Sequence, residues 1–393
     1  MAWEKFKVEE QRLQVIEAYI NGDTSMTAIC ERYGISTKTA YKWYNRYLLL
    51  GKEGLNDLSK APHKPYCLFT EEQIQRAIDL KRKRLTWGPK KILAKLLEIY
   101  PNEKWPSPTR LYGVFKEFHL VTKRRIKRRI PATAPLGHIT ESNDTWAVDL
   151  KGWFLTEDGY KCEPLTITDC DSRFLIRCTH LDKHSVEYVW PIFDQAFREY
   201  GLPDRVRSDN GPPFGSLGIG RLTNLSVNLI KAGVTPEWIK PGRPEENGRH
   251  ERFHLTLQQE VASPPKKTLA LQIQALESFR DDYNFERPHE ALNMKKPSDC
   301  YTASNRTWNG VLKPPEYDRG IFDVRKVEKS GQITWKGNHI FISETLRGEY
   351  VGLKPFDDDH FEVFYGPVFL GKMNENGLEK PKTKKRRQRR RSC

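Results

Sequence analysis

The sequence predicts a multidomain chain: N-terminal all-α helix-turn-helix units, a central α/β core built on a mixed five-stranded sheet, and a small β-barrel near the C-terminus. Three observations carry this expectation. Apolar residues recur at helical spacing through the first 120 positions; short apolar runs alternate with longer helical ones from Asp144; strand-like runs separated by Gly- and Asp-rich turns follow Gly320. A chain of 393 residues is long enough for several such units.

Composition limits the function classes. The chain is 37% hydrophobic and 30% charged, and it has no run of about 18 apolar residues able to span a bilayer. The opening MAWEKFKVEEQRL is charged rather than signal-like, so a cytoplasmic location is expected, with nucleoid association through DNA. A net charge of +15 calls for a polyanionic partner, with double-stranded DNA first among them. Seven cysteines are scattered without any Cys-x-x-Cys pair, which favours reduced thiols over a zinc site or a disulfide framework.

The first element is a helix-turn-helix at 1–60. In TAICERYGISTKTAYKWYNRYL two helical runs are separated by Gly34, and Ser36 is placed to cap the second. Ile29, Ile35, Ala40 and Trp43 would pack three helices together. Thr37, Lys38, Tyr41 and Lys42 would face outward to DNA. A second helical unit, 66–122, opens with capping-box spacing at Thr70 and Gln73, and Pro89 and Ser107-Pro108 start two further helices. Its basic surface, including Lys90 and Lys91, reads equally as a DNA-binding face or as a solvated one. The linker at 123–142 then brings six basic residues between Lys123 and Arg129, among them Arg124, Arg125 and Arg128, able to lie along a phosphate backbone.

The central unit, 143–302, reads β-β-β-α-β-α-β-α. TWAVDLKGWFL, YKCEPLTITD and RFLIRCTH are its first three strands, RVRSD the fourth and TPEWIK the fifth; Val186 to Tyr200, Leu222 to Ala232 and Asn247 to Val261 are its helices. Three carboxylates stand out. Asp149 interrupts the apolar first strand, Asp209 ends the fourth at the Asn-Gly turn of RSDNGPPFGS, and Glu251 lies one turn into the last helix. If the first and fourth strands are neighbours, both aspartates open on one edge and the helix brings the glutamate over them. A carboxylate inside an apolar strand is costly without compensation, and a divalent cation is the natural compensation for three.

WAVDLKGWF, RSDNGPPF, GRPEENGRHERFHLTLQQE and YNFERPHEALNMKKPSDCY together resemble the motifs of DDE transposases of bacterial insertion sequences, with a retroviral-integrase-type, RNase H-like catalytic core. The likeness spans Asn143 to Tyr301, and the helix-turn-helix and TWGPKKI segments upstream resemble the same group. It implies that Asp149, Asp209 and Glu251 are the catalytic and metal-binding triad. Pro244, Asn247, Gly248 and Glu251 match the family pattern, and Glu245 and Glu246 fall before its glycine. Forty-one residues separate Asp209 from Glu251, more than is usual in the family, and FGSLGIGR takes up the extra length.

The implied chemistry uses two Mg²⁺ (or Mn²⁺) ions to activate an attacking oxygen and stabilise a leaving one at phosphorus. Water would free a 3′-hydroxyl at each element end, and that hydroxyl would attack target DNA. Arg243, Asn247 and Arg249 would reach DNA near the reaction centre; His250 and His254 would either join them or pack as ordinary histidines. Arg287, Pro288 and His289 read better as a turn packing the last helix than as a site.

The all-β unit at 316–373 resembles the SH3-like barrel beside some integrase cores, serving DNA or assembly, and 379–393 is a basic, disordered tail. The function expected is a homo-oligomeric transposase that cleaves element ends and transfers strands into target DNA. A catalytically silent DNA-binding regulator derived from one is the alternative, and a ribonuclease of the same fold is a third reading.

Overall fold

The computed structural model describes residues 8–22, 24–58, 69–121, 139–239, 248–357 and 359–379, with the side chains of residues 248–250 excepted. Arg124, Arg125, Arg128, Arg243, Asn247 and the tail from residue 380 lie outside the described residues, as do the side chains of Arg249 and His250. The chain divides into two compact units, Met1–Leu68 and Phe69–Cys393.

In the first unit, α1 (Val8–Ile20), α2 (Met26–Tyr33) and α3 (Thr37–Leu50) form the expected three-helix arrangement. The Ser25 hydroxyl accepts from the Ala28 amide and caps α2; Ser36 does the same for α3 through the Thr39 amide at 3.2 Å. Such a cap is worth about 1 kcal/mol. Gly34 ends α2 at φ 63°, a left-handed angle that a β-carbon disfavours, and thereby sets the turn. Val15, Met26, Ile29, Cys30 and Ala40 make the core, with Ile35 packed against it. Trp43 is buried with the Arg12 guanidinium 3.7 Å above its ring; Arg12 also donates to the Leu55 carbonyl, tying α1 to the turn after α3.

The second unit begins with α4 (Glu71–Lys83), α5 (Pro89–Ile99) and α6 (Pro108–Glu117). The Thr70–Gln73 capping box forms in both directions, and Pro89 and Pro108 occupy first helical positions, where a missing amide hydrogen costs nothing. Ile78, Trp87, Ile92, Leu96, Leu111 and Phe115 close the core of this bundle. Its polar face is fastened to the α/β core by ion pairs: Arg84 to Asp282, Lys95 to Glu286 at 2.7 Å, and Glu98 to Lys296 at 3.1 Å.

The core sheet runs β5-β4-β1-β6-β7, from β1 (Thr145–Leu150), β4 (Pro164–Asp169), β5 (Leu175–His180), β6 (Arg205–Ser208) and β7 (Thr235–Trp238). β1–β4 and β4–β5 are antiparallel, β1–β6 and β6–β7 parallel, which is the mixed sheet expected with its first and fourth predicted strands adjacent. The first predicted strand is shorter than its apolar run. Gly152, at φ 84°, turns the chain after Lys151, and β2 (Phe154–Leu155) pairs with β3 (Lys161–Cys162) as a separate hairpin.

Alternation along the strands puts Trp146, Val148, Leu165 and Ile167 on one face, under α7 (Val186–Tyr200) and α8 (Asn224–Lys231). The other face is covered by α9 (Gly248–Leu257), which continues as a π-helical turn at Gln258–Ala262, and by α10 (Leu269–Phe285), through Phe253, Leu257, Leu276, Phe279 and Tyr283.

The C-terminal strands form β14-β13-β12-β11-β8, an antiparallel sheet of β8 (Asp323–Lys326), β11 (Tyr350–Pro355), β12 (Phe361–Tyr365), β13 (Val368–Asn374) and β14 (Gly377–Glu379), with β9 (Gln332–Trp335) and β10 (Asn338–Phe341) as a separate hairpin. The hydrogen-bonded sheets are not closed among the described residues, so the expected barrel is not confirmed: an open sheet and a hairpin share one core. That core includes Ile333, Trp335 and Ile340 of the hairpin and Leu222, Val227 and Ile230 from around α8.

Candidate active site

Asp149 is the fifth residue of β1 and lies directly across from Thr166 on β4. Its Oδ1 accepts from the Leu150 amide at 2.9 Å. The parallel register pairs Thr145 with Arg205 and Ala147 with Arg207. Extended by two residues it sets Asp149 beside Asp209, on the face opposite Trp146, Val148 and Val206, because side chains two apart share a face. Asp209 is held from below by its own turn. The Gly211 amide donates to Asp209 Oδ1 at 3.2 Å, Asn210 donates to the Ile239 carbonyl at 2.9 Å, and Arg221 donates to Asn210 Oδ1 at 2.8 Å. The Asn-Gly turn thus braces the carboxylate, which has no ion pair among the described residues.

Glu251 is exposed in the first turn of α9, three residues before His254 and so on the same helical stripe. His254 fixes where that stripe goes. Its Nε2 lies 3.1 Å from the Thr166 hydroxyl, which also lies 3.1 Å from the Asp149 carbonyl oxygen. Burial, with Lys151 nearby, pushes the His254 imidazole down to about 4, so it is neutral at pH 7. In this structure His254 is half-buried against Thr166 of β4, which links it in turn to Asp149 on β1. Lys151, whose ammonium is also depressed by burial, bonds Gln258 at the end of α9. Sequence reasoning passed over this lysine, although it stands two residues beyond Asp149 on the same strand path. Among the described residues no group of three His, Cys, Asp or Glu side chains is gathered closely enough to hold a metal ion.

The remaining candidates are dispersed. Thr37, Lys38, Tyr41 and Lys42 are exposed on α3. Lys90 pairs with Glu290 at 3.4 Å, and Lys91 is partly buried between α5 and the core. Arg287 is buried against Glu260, which the Thr86 hydroxyl also reaches. His289 packs edge-on against Tyr283 at 4.7 Å.

Integrase core domain models match residues 139–244 and 232–297; a helix-turn-helix domain model matches 11–63 and a homeodomain-like one 39–114. The chain is 28% identical over 287 residues to an uncharacterized 31.7 kDa protein of insertion element IS407 from Burkholderia multivorans, covering 72% of this chain and 95% of that one. It is 24% identical over 413 residues to the transposase for transposon Tn552 of Staphylococcus aureus, covering 93% and 83%. Solved structures similar to it include the BIV integrase catalytic core, at 19% identity, 40% of this chain, 93% of that chain and a TM-score of 0.32. The HTLV-2 integrase core in complex with magnesium matches at 16% identity, 42% and 99% coverage, with a TM-score of 0.34.

Proposed function

We propose that the chain, with helix-turn-helix domains ahead of an integrase core and similarity to proteins of insertion elements, is a transposase that cleaves the 3′ ends of a mobile element and joins them to target DNA at Asp149, Asp209 and Glu251. The observation that supports this most is the parallel pairing of β1 with β6, which brings two carboxylate-bearing strand ends side by side.

The donor set is entirely carboxylate oxygen, which suits Mg²⁺ or Mn²⁺, and integrase-type proteins normally use a divalent metal. Asp149, Asp209 and Glu251 would hold the ions, which when bound supply activation of the attacking oxygen and stabilisation of the leaving one. The chain's own contribution is orientation. The Asn210–Gly211 turn aims the Asp209 carboxylate, and the Thr166–His254 contact holds the Glu251 stripe of α9 toward the Asp149 strand. A neutral His254 adds no cation to compete with a metal.

The test is Asp209→Asn, which preserves size and removes the charge. Gel shift on element-end DNA should be retained, and cleaved and joined oligonucleotide products should fall by orders of magnitude, as they should for Asp149→Asn and Glu251→Gln. Glu245→Gln and Glu246→Gln should keep most activity. An Asp209→Asn protein that cuts like the parent would sink the triad, and a parent that binds ends without ever cutting them would point to a silent regulator.

A further inference from the structure

α9 carries two chemically different stripes. Glu251, His254 and Gln258 share the one that meets the sheet through His254. One position around the helix, Arg252, Thr256 and Gln259 line a cleft of about 650 Å³, whose other wall includes Thr86, Lys91 and Arg287. That size is within the range of ligand sites. The cleft belongs to the space between the second helical bundle and the core, and it begins at the residue next to Glu251.

Its charges do not balance. Glu260 is engaged by Arg287 and Thr86, and Glu290 by Lys90. Lys91 and Arg252 have no ion pair among the described residues. Burial, with Arg287 and Arg252 nearby and against the opposing pull of Glu260 and Glu290, pushes the Lys91 ammonium down to about 8. Lys90, Lys91, Arg252 and Arg287 outnumber Glu260 and Glu290, so the cleft keeps a net positive charge that an anion would offset, and Arg287 has further N–H donors to offer beyond those used on Glu260.

We propose that this cleft is a phosphate-binding subsite in which Lys91, Arg252 and Arg287 seat a phosphodiester of the DNA strand that passes Glu251. The anion follows from the cleft alone; the choice of DNA as its source rests on the function proposed above. The second helical bundle is then one wall of the strand's path, and Arg287 of the YNFERPHEAL segment acquires a ligand-facing role beside its packing one.

The test uses the full chain with Lys91→Met, Arg252→Gln and both together. Binding of a fluorescein-labelled duplex is followed by anisotropy across a salt series, and melting temperature is read with and without inorganic phosphate or the duplex. Each substitution should flatten the slope of log K against log salt by about 0.9, with the pair near twice that, and the pair should weaken binding about tenfold or more at physiological salt. Without ligand, Lys91→Met should melt at or above the parent, because a strained cation has been removed. Arg252 is exposed, so Arg252→Gln decides the slope even if Lys91→Met folds poorly. An unchanged slope in both Arg252→Gln and the pair would overturn the proposal. So would phosphate stabilisation that vanishes in the pair with the DNA slope intact, which would assign the cleft to a different anion. Because no cutting is scored, a parent that never cleaves DNA would remove the catalytic reading and leave this slope difference standing.

Discussion

His254 Nε2 lies 3.1 Å from the hydroxyl of Thr166, the residue directly across the sheet from Asp149. This contact joins α9 to the centre of the sheet, and it places a neutral imidazole where the sequence leaves a DNA contact open. Its protonation state therefore bears on stability.

The folded pKa of His254, about 4, is below its ordinary value of 6.5, so the fold favours the neutral ring. Its contribution is present above pH 6.5 and is lost as pH falls through about 4, amounting to about 3 kcal/mol over that window. His289, pushed down to about 3 by burial beside Lys91 and Arg287, adds to the same slope. Chemical-denaturant titrations from pH 7 to pH 4 should show steep acid destabilisation in the parent and a shallower one in His254→Gln. Parallel curves would remove the buried imidazole as a cause.

Glu260 is the counter-charge of a buried arginine. Glu260→Gln leaves Arg287 uncompensated next to Lys91 and should cost about 3 kcal/mol, read as a lower melting temperature. Glu260→Leu combined with Arg287→Met should recover much of it. Equal losses in the single and double variants would show that the pair is not coupled.

On α3, Lys38 and Lys42 are exposed, with the Lys42 ammonium 5.0 Å from the Trp43 ring. Alanine at both positions should weaken binding to element ends more than binding to random duplex, measured by competition gel shift. Equal weakening on both would confine the two lysines to phosphate contact.

Metal dependence separates chemistry from binding. Strand transfer should require Mg²⁺ or Mn²⁺ and stop in excess chelator, whereas gel-shifted complexes on element ends should survive it. Ca²⁺ should support the complex and little chemistry. Joining that proceeds unabated in chelator is incompatible with the carboxylate site.

Much of the core was legible because it is written locally. The caps at Ser36 and Thr70, the prolines opening α5 and α6, and the alternation Trp146, Val148 against Ala147, Asp149 all act within a few residues. The adjacency of β1 and β6 followed from asking where two carboxylates could meet. What escaped was long-range. Lys90 and Lys91 read equally as a DNA-binding or a solvated face, and nothing local shows that Glu290, two hundred residues later, comes to face Lys90. The strand containing Asp149 looks longer than it is, because only the positive φ of Gly152 reveals the turn.

The core that α8 shares with the C-terminal strands has a practical meaning for dissecting the protein. Leu225 and Leu229 of α8 pack into the α/β core, while Val227 and Ile230, on the same short helix, are sealed by the C-terminal strands. A fragment ending before Pro315 would bare Leu222, Val227 and Ile230 together, a sticky surface beside a sheet otherwise complete. Poor solubility of such a fragment would then report a lost neighbour rather than a misfolded core, and replacing Val227 and Ile230 by polar residues is the way to tell the two apart.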